Sequence, residues 1–103
     1  MIDKDKIIET VLERLKKLPV GHYLDVRTYK RNRYVMIVRQ DQENLLVIQN
    51  GYESNRFQIK NKELKKLMKT LLKKEFPRSN KVRLYTMGNF VEAEAIGTKR
   101  KVL

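Results

Sequence analysis

The sequence predicts a single α+β domain: a helix, a four-stranded antiparallel meander, a second helix and a further strand, with both helices covering one face of the sheet. Three observations predict it. Two segments repeat apolar residues at helical spacing, the stretches between and after them alternate in twos, and Asn50-Gly51 offers the positive-φ pair of a tight hairpin.

The first helix is read from Ile7, Ile8, Val11, Leu12, Leu15 and Leu18, which share one face, with Asp3 as its cap and Pro19 and Gly21 as its stop. Its other face mixes Glu9, Glu13, Arg14, Lys16 and Lys17 and carries little net sign. Residues 23–30 alternate, with Leu24, Val26 and Thr28 on one side and Tyr23, Asp25, Arg27 and Tyr29 on the other. Lys30-Arg31-Asn32 is turn-like. Residues 33–40 are apolar on both faces, as suits a central strand. The polar stretch Asp41-Gln42-Glu43-Asn44 leads to a third strand over 45–49, and a fourth returns over 52–59. Asn61 is the expected cap of the second helix, whose stripe is Leu64, Leu67, Met68, Leu71 and Leu72. Pro77 ends that helix and biases Phe76 toward extended geometry. Residues 82–87 alternate again as a fifth strand, and residues 90–96 suit either strand or helix. The domain is expected over residues 1–97, with 98–103 a flexible basic tail.

With 103 residues the core is modest. The hydrophobic fraction of 41% nevertheless supports a folded domain, and the 35% of charged residues is not one block of a single sign. Cysteine is absent, which removes disulfides and thiolate metal sites and fits a reducing compartment. No stretch approaches the ~18 apolar residues of a membrane span, and Met1-Ile2-Asp3 does not begin as a signal peptide does. The expectation is a cytoplasmic protein without a membrane association.

The charge is uneven. Between Arg56 and Arg83 lie eleven basic residues against Glu63 and Glu75, so this segment holds +9 of the whole-chain +12. Such concentration costs self-repulsion that a polyanion relieves, and nucleic acid supplies affinity through counterion release. If Leu24, Val26, Val82 and Leu84 face the helices, then Tyr23, Arg27, Tyr29, Arg83, Tyr85 and Met87 face away from them. Alternating aromatic and basic groups suit single-stranded RNA or DNA, with bases stacked on rings and phosphates held by cations. In that reading Tyr23, Tyr29 and Tyr85 stack bases, and Arg27, Arg31, Arg33 and Arg83 hold phosphates. Arg56 beside Phe57 adds another such pair, while Arg78 and Lys81 extend the groove past Ser79 and Asn80. Strand tyrosines are also simply good sheet formers. Lys62, Lys66, Lys69 and Lys73, with Lys65 alongside, line the second helix opposite its apolar stripe. They read as a phosphate rail, as a solvated face, or as the basic side of a membrane-lying helix.

The segment Glu63-Leu64-Lys65-Lys66-Leu67, leading through Phe76-Pro77-Arg78-Ser79 into Val82-Arg83-Leu84-Tyr85, resembles the small archaeal ThermoDBP-related proteins. Over roughly the latter half of the chain, that resemblance implies single-stranded DNA or RNA bound in an apolar cleft flanked by basic residues. No binding residue of that family maps onto a numbered position here.

An enzyme is not expected. His22 is the single histidine, Asp41 with Glu43 and Glu92 with Glu94 are the close carboxylate pairs, and no Gly-rich phosphate loop occurs. Neither a cofactor, a metal nor a small-molecule substrate is expected. A metal-independent ribonuclease using His22, Arg27, Tyr29, Arg83 and Tyr85 is the enzymatic alternative. A subunit that meets acidic protein within a larger ribonucleoprotein assembly is the other. An uncovered edge strand would also permit a homodimer.

Overall fold

In a computed structural model, which describes residues 2–28, 33–51, 53–76 and 81–90, the chain opens with a two-residue strand, β1 (Ile2–Asp3), ahead of helix α1 (Lys4–Lys17). Four strands follow: β2 (His22–Arg27), β3 (Tyr34–Arg39), β4 (Asn44–Asn50) and β5 (Ser54–Lys60). A single 3₁₀ turn, Asn61–Glu63, leads into α2 (Leu64–Glu75), and β6 (Lys81–Asn89) comes last.

The strands form one antiparallel sheet of order β1-β6-β2-β3-β4-β5. This corrects the expected order of helix, four strands, helix and strand. The sheet has six strands, the chain begins with one of them, and β6 sits between β1 and β2 rather than extending the meander. Two residues are too few to show a period of two, so β1 carries no sequence signal. Asp3 is also not the side-chain cap it resembles. It occupies the position before α1 but caps nothing, because its carboxylate takes the Lys81 ammonium at 2.5 Å across the β1–β6 pair.

Side-chain alternation places a separate apolar cluster on each face of the sheet. On one face Leu24, Val26, Val35, Ile37, Leu45, Val47 and Val82 pack against Ile7, Val11 and Leu15 of α1 and Leu64, Met68, Leu71 and Leu72 of α2. The opposite face buries Tyr23, Tyr34, Met36, Val38 and Ile48, with Leu46 and Phe90 packed against them. The sheet is therefore buried on both sides at its centre, and β3, apolar at each position from Tyr34 to Val38, lies between two strands as a doubly buried strand must.

Two polar devices anchor the helices. Arg39 donates from Nη2 to the carbonyl of Leu15 at 2.7 Å and from Nη1 to the carbonyls of Asp41 and Gln42, tying the end of α1 to the β3–β4 turn. A cation at the last carbonyls of a helix also complements its dipole. At the end of α2, Glu75 is 1% exposed and receives hydrogen bonds from Gln49 Nε2 at 2.6 Å and from the Glu53 backbone N–H at 3.2 Å. Its own carbonyl accepts from Arg33 Nη1. Gly51 lies against this carboxylate. The antiparallel β4–β5 hairpin turns where Asn50-Gly51 places it, but the φ of Gly51 is not positive, so the stated reason is corrected: a side chain there would meet Glu75, and space rather than backbone freedom favours the glycine. Gly21 is the position that does need the left-handed region, at φ 90°, where α1 turns into β2.

Asn61 likewise does not cap α2. Its side-chain amide donates to the Gln42 carbonyl at 2.7 Å, and the start of the helical segment is held instead by Glu63, whose Oε1 accepts from the Lys60 N–H at 3.0 Å.

Candidate nucleic-acid interface

The register across the face opposite the helices shows what surrounds each expected contact residue. Arg27 stands opposite Arg83 on β6 and Tyr34 on β3; Asp25 opposite Tyr85 and Met36; Tyr23 opposite Met87 and Val38. Ile48 stands between Met36 and Arg56. The alternation therefore does bring Tyr23, Arg27, Arg83 and Tyr85 onto one face, with Arg56 at its β5 margin.

The face is largely engaged with itself. Tyr23 is 6% exposed and packs edge-on against Phe90, with ring centroids 5.1 Å apart. Arg27 donates from Nε to Asp25 Oδ2 at 2.8 Å and lies over the Tyr34 ring, 4.8 Å from its centroid. Such a guanidinium is already paired and stacked before any ligand arrives. Asp25 is buried, and its Oδ1 has no hydrogen-bond partner among the described residues. Burial pushes the Asp25 carboxyl above the ordinary aspartate value, while the hydrogen bond and charge of Arg27 oppose the shift. Desolvation likewise pushes the Tyr34 phenol up.

The remaining expected residues are spread over several elements. Arg33 is half-buried and bonded to the end of α2, so it serves the Glu75 cluster. Lys81 is exposed and paired with Asp3, which holds the Asp3 carboxyl below its usual range and raises the Lys81 ammonium. Arg56 is exposed, and Arg83 and Tyr85 are half-buried. Tyr29, Arg31, Arg78 and the 98–103 tail lie outside the described residues. His22 opens β2 where its pairing with β6 shifts register, and Arg27 ends it, so the two are ~17 Å apart along the strand.

The other candidate surface is the outer side of α2. Lys65, Lys66, Lys69, Lys73 and Lys74 are all exposed there, preceded by exposed Lys62 on the 3₁₀ turn. Lys74 meets Glu53 at 3.6 Å; the other five make no ion pair among the described residues. The two acids of the segment are spent elsewhere, Glu63 on a backbone N–H and Glu75 in the interior. α2 runs back along the β4–β5 hairpin, starting beside the end of β5 and finishing near Glu53, on the face that Phe57 and Ile59 help to build, while Arg56 and Lys60 alternate to the opposite face of the sheet. Between α1 and α2 lies an open groove of about 620 Å³ floored by Ile8 and Leu72 and edged by Asp5, Lys69 and Lys73. No helix among the described residues is long and apolar enough to cross a membrane.

No family model matches the chain, and neither a curated protein nor a solved structure matches it. The likeness to the ThermoDBP-related proteins therefore rests on the sequence pattern alone.

Proposed function

We propose that the protein binds nucleic acid with little sequence specificity, and that the lysine face of α2 holds the phosphate backbone. The observation that carries this reading is the row of exposed lysines 62, 65, 66, 69 and 73, none of which makes an ion pair among the described residues. Lysine ammonium groups at the end of flexible stems bind phosphate as point charges, without reading bases. The affinity is then mainly counterion release, falling steeply with salt.

A second reading is favoured by the half-exposed Tyr85 and Arg83 and exposed Met87, which leave part of the opposite face open to a base. It adds a preference for single strands, because an unpaired base offers a face for stacking.

Fluorescence anisotropy with matched single-stranded and duplex oligonucleotides, across a salt series, tests both. The triple variant Lys66→Gln, Lys69→Gln, Lys73→Gln is expected to weaken both forms and to flatten the log–log salt slope by about 2–3. Unchanged affinity and slope in that variant refute the α2 reading. Loss of single-strand binding in Tyr85→Ala then assigns the sheet face, and no binding at low salt favours an acidic protein partner.

A further inference from the structure

β5 ends the sheet. It pairs with β4 on one side, and on its other side none of the described residues pairs with it. An edge of this kind is a template for another strand, and natural edges are commonly blunted by charge, proline or a bulge. β5 has no proline, is seven residues long, and keeps an unbroken register with β4 from Ser54 to Lys60. Its cations, Arg56 and Lys60, lie two strand steps apart on one face, and that spacing decides which partner it accepts.

We infer that β5 pairs antiparallel with β5 of a second copy of this chain, about a two-fold axis at Phe57. In an antiparallel pair, facing residues point to the same side of the sheet, so the two-fold must pass through a residue facing its own copy. Centred on Arg56, it sets two guanidinium groups against each other. Centred on Gln58, it sets Arg56 against Lys60 of the partner, twice. Centred on Phe57, it matches the full length of β5: Ser54 faces Lys60, Asn55 faces Ile59, Arg56 faces Gln58, and the two half-buried phenylalanines face each other. Like charges directly opposed are destabilising and aromatic pairs favourable, so the register that uses the whole strand is also free of conflict and alone sets the two phenylalanines face to face.

The axis of such a pair is perpendicular to the sheet, so both helical layers lie on the same side and the two α2 helices run antiparallel next to each other. Their lysine faces become one basic surface. Seven residues of edge pairing bury less than a standard interface, and the joined lysines repel. The dimer is therefore weak alone, is strengthened by moderate salt, and is strengthened further by a polyanion that spans both helices. Pairing itself rests on the strand edge; only the last step rests on the nucleic-acid reading.

Sedimentation equilibrium of the full chain without nucleic acid, at low salt and at about 0.5 M salt, reads the pairing directly. Association is expected to be stronger at the higher salt. Gln58→Glu, facing Arg56 of the partner at two symmetric positions, is expected to tighten it about fivefold, and Gln58→Arg to weaken it about as much. Register is read independently by cysteine pairing, since the chain has no cysteine of its own. An oxidised mixture of Ser54→Cys and Lys60→Cys chains is expected to give the mixed disulfide, while neither alone gives its own. A monomer at both salts and at the highest attainable concentration overturns the proposal. So does equal movement by the two Gln58 variants, or cross-linking without preference for the mixed pair. If a dimer forms but an oligonucleotide leaves its association unchanged, the pairing stands and the nucleic-acid reading of α2 fails.

Discussion

Replacing Gly51 by alanine adds one methyl group to a backbone that alanine readily adopts, because φ there is not positive. The consequence is purely steric. The added Cβ would overlap Glu75 Oε1, lie 2.9 Å from Glu75 Cδ and 3.0 Å from Arg33 Cγ. Glu75 is no flexible surface chain able to swing aside. It is buried and held by Gln49 at 2.6 Å and the Glu53 N–H at 3.2 Å, so yielding breaks at least one charge-assisted hydrogen bond inside the protein. Each such bond is worth about 1.5–3 kcal/mol, and a buried carboxylate left short of partners costs more. The expected loss is about 2–4 kcal/mol, which for a domain of this size lowers Tm by about 10–25 °C. Two other glycines calibrate the experiment. Gly88→Ala meets nothing within 4 Å in a strand, so it is expected to be neutral or slightly stabilising. Gly21→Ala has room, its nearest neighbour being Asn89 Oδ1 at 3.7 Å, but pays for φ 90° with about 1–2 kcal/mol. Thermal and urea unfolding followed by circular dichroism rank the three. A Gly51→Ala protein that unfolds at the wild-type midpoint, or a Gly88→Ala protein that loses as much, refutes the steric account.

Two further outcomes follow from the polar groups. Asp25 has its folded-state pKa raised by burial, so the folded protein binds the proton more tightly than the unfolded chain does. Its ionisation therefore removes stability as pH rises from the ordinary aspartate value through the raised one, and Asp25→Asn, which keeps an acceptor for Arg27, should flatten ΔG against pH in that window; an unchanged slope in urea titrations counts against the assignment. Arg39→Met keeps the apolar stem but removes donors to Leu15, Asp41 and Gln42, and is expected to cost about 1.5–3 kcal/mol in the same unfolding assay, with unchanged stability showing that these bonds contribute nothing net.

Periodicity made legible what depends on local geometry. The stripe of Leu64, Met68, Leu71 and Leu72 dictates that Lys65, Lys66, Lys69 and Lys73 point outward, and the structure exposes all four. Alternation in β2 and β6 likewise assigned Leu24 and Val82 to the helices and Tyr23 to the other side. Parity says which side a residue points to, however, and not whether that side is covered. Tyr23 read as a ligand-facing ring yet is buried with Tyr34, Met36 and Val38. Arg27 read as a phosphate contact, but its partner Asp25 lies two residues away on the same face, a pairing that strand spacing alone makes available. The pairing of Asp3 with Lys81 and of Gln49 with Glu75 had no local signal at all. They join residues far apart in sequence and exist only once β1 and β6, or α2 and the hairpin, have met.

The placement of lysine along α2 runs against what helix stability alone would select. The macrodipole favours acids in the first turn and bases in the last, each by about 0.3–1 kcal/mol at an exposed site. Lys73 and Lys74 follow that rule, and Glu63 stands just before the helix, but the first turn of α2 itself contains no acid and does contain Lys65 and Lys66. Spacing adds to the cost. Lys62 to Lys66, Lys65 to Lys69 and Lys69 to Lys73 are four residues apart, and like charges so placed on a helical surface repel by a few tenths of a kcal/mol each. The apolar stripe that docks the helix, Leu64, Met68, Leu71 and Leu72, would pack equally well beneath glutamates at those outer positions. Folding thus gives no return for these lysines. A phosphate backbone laid along the face would neutralise these cations and remove the repulsion among them, which on the reading proposed above favours the α2 surface over the self-engaged face of the sheet as the site for a polyanion.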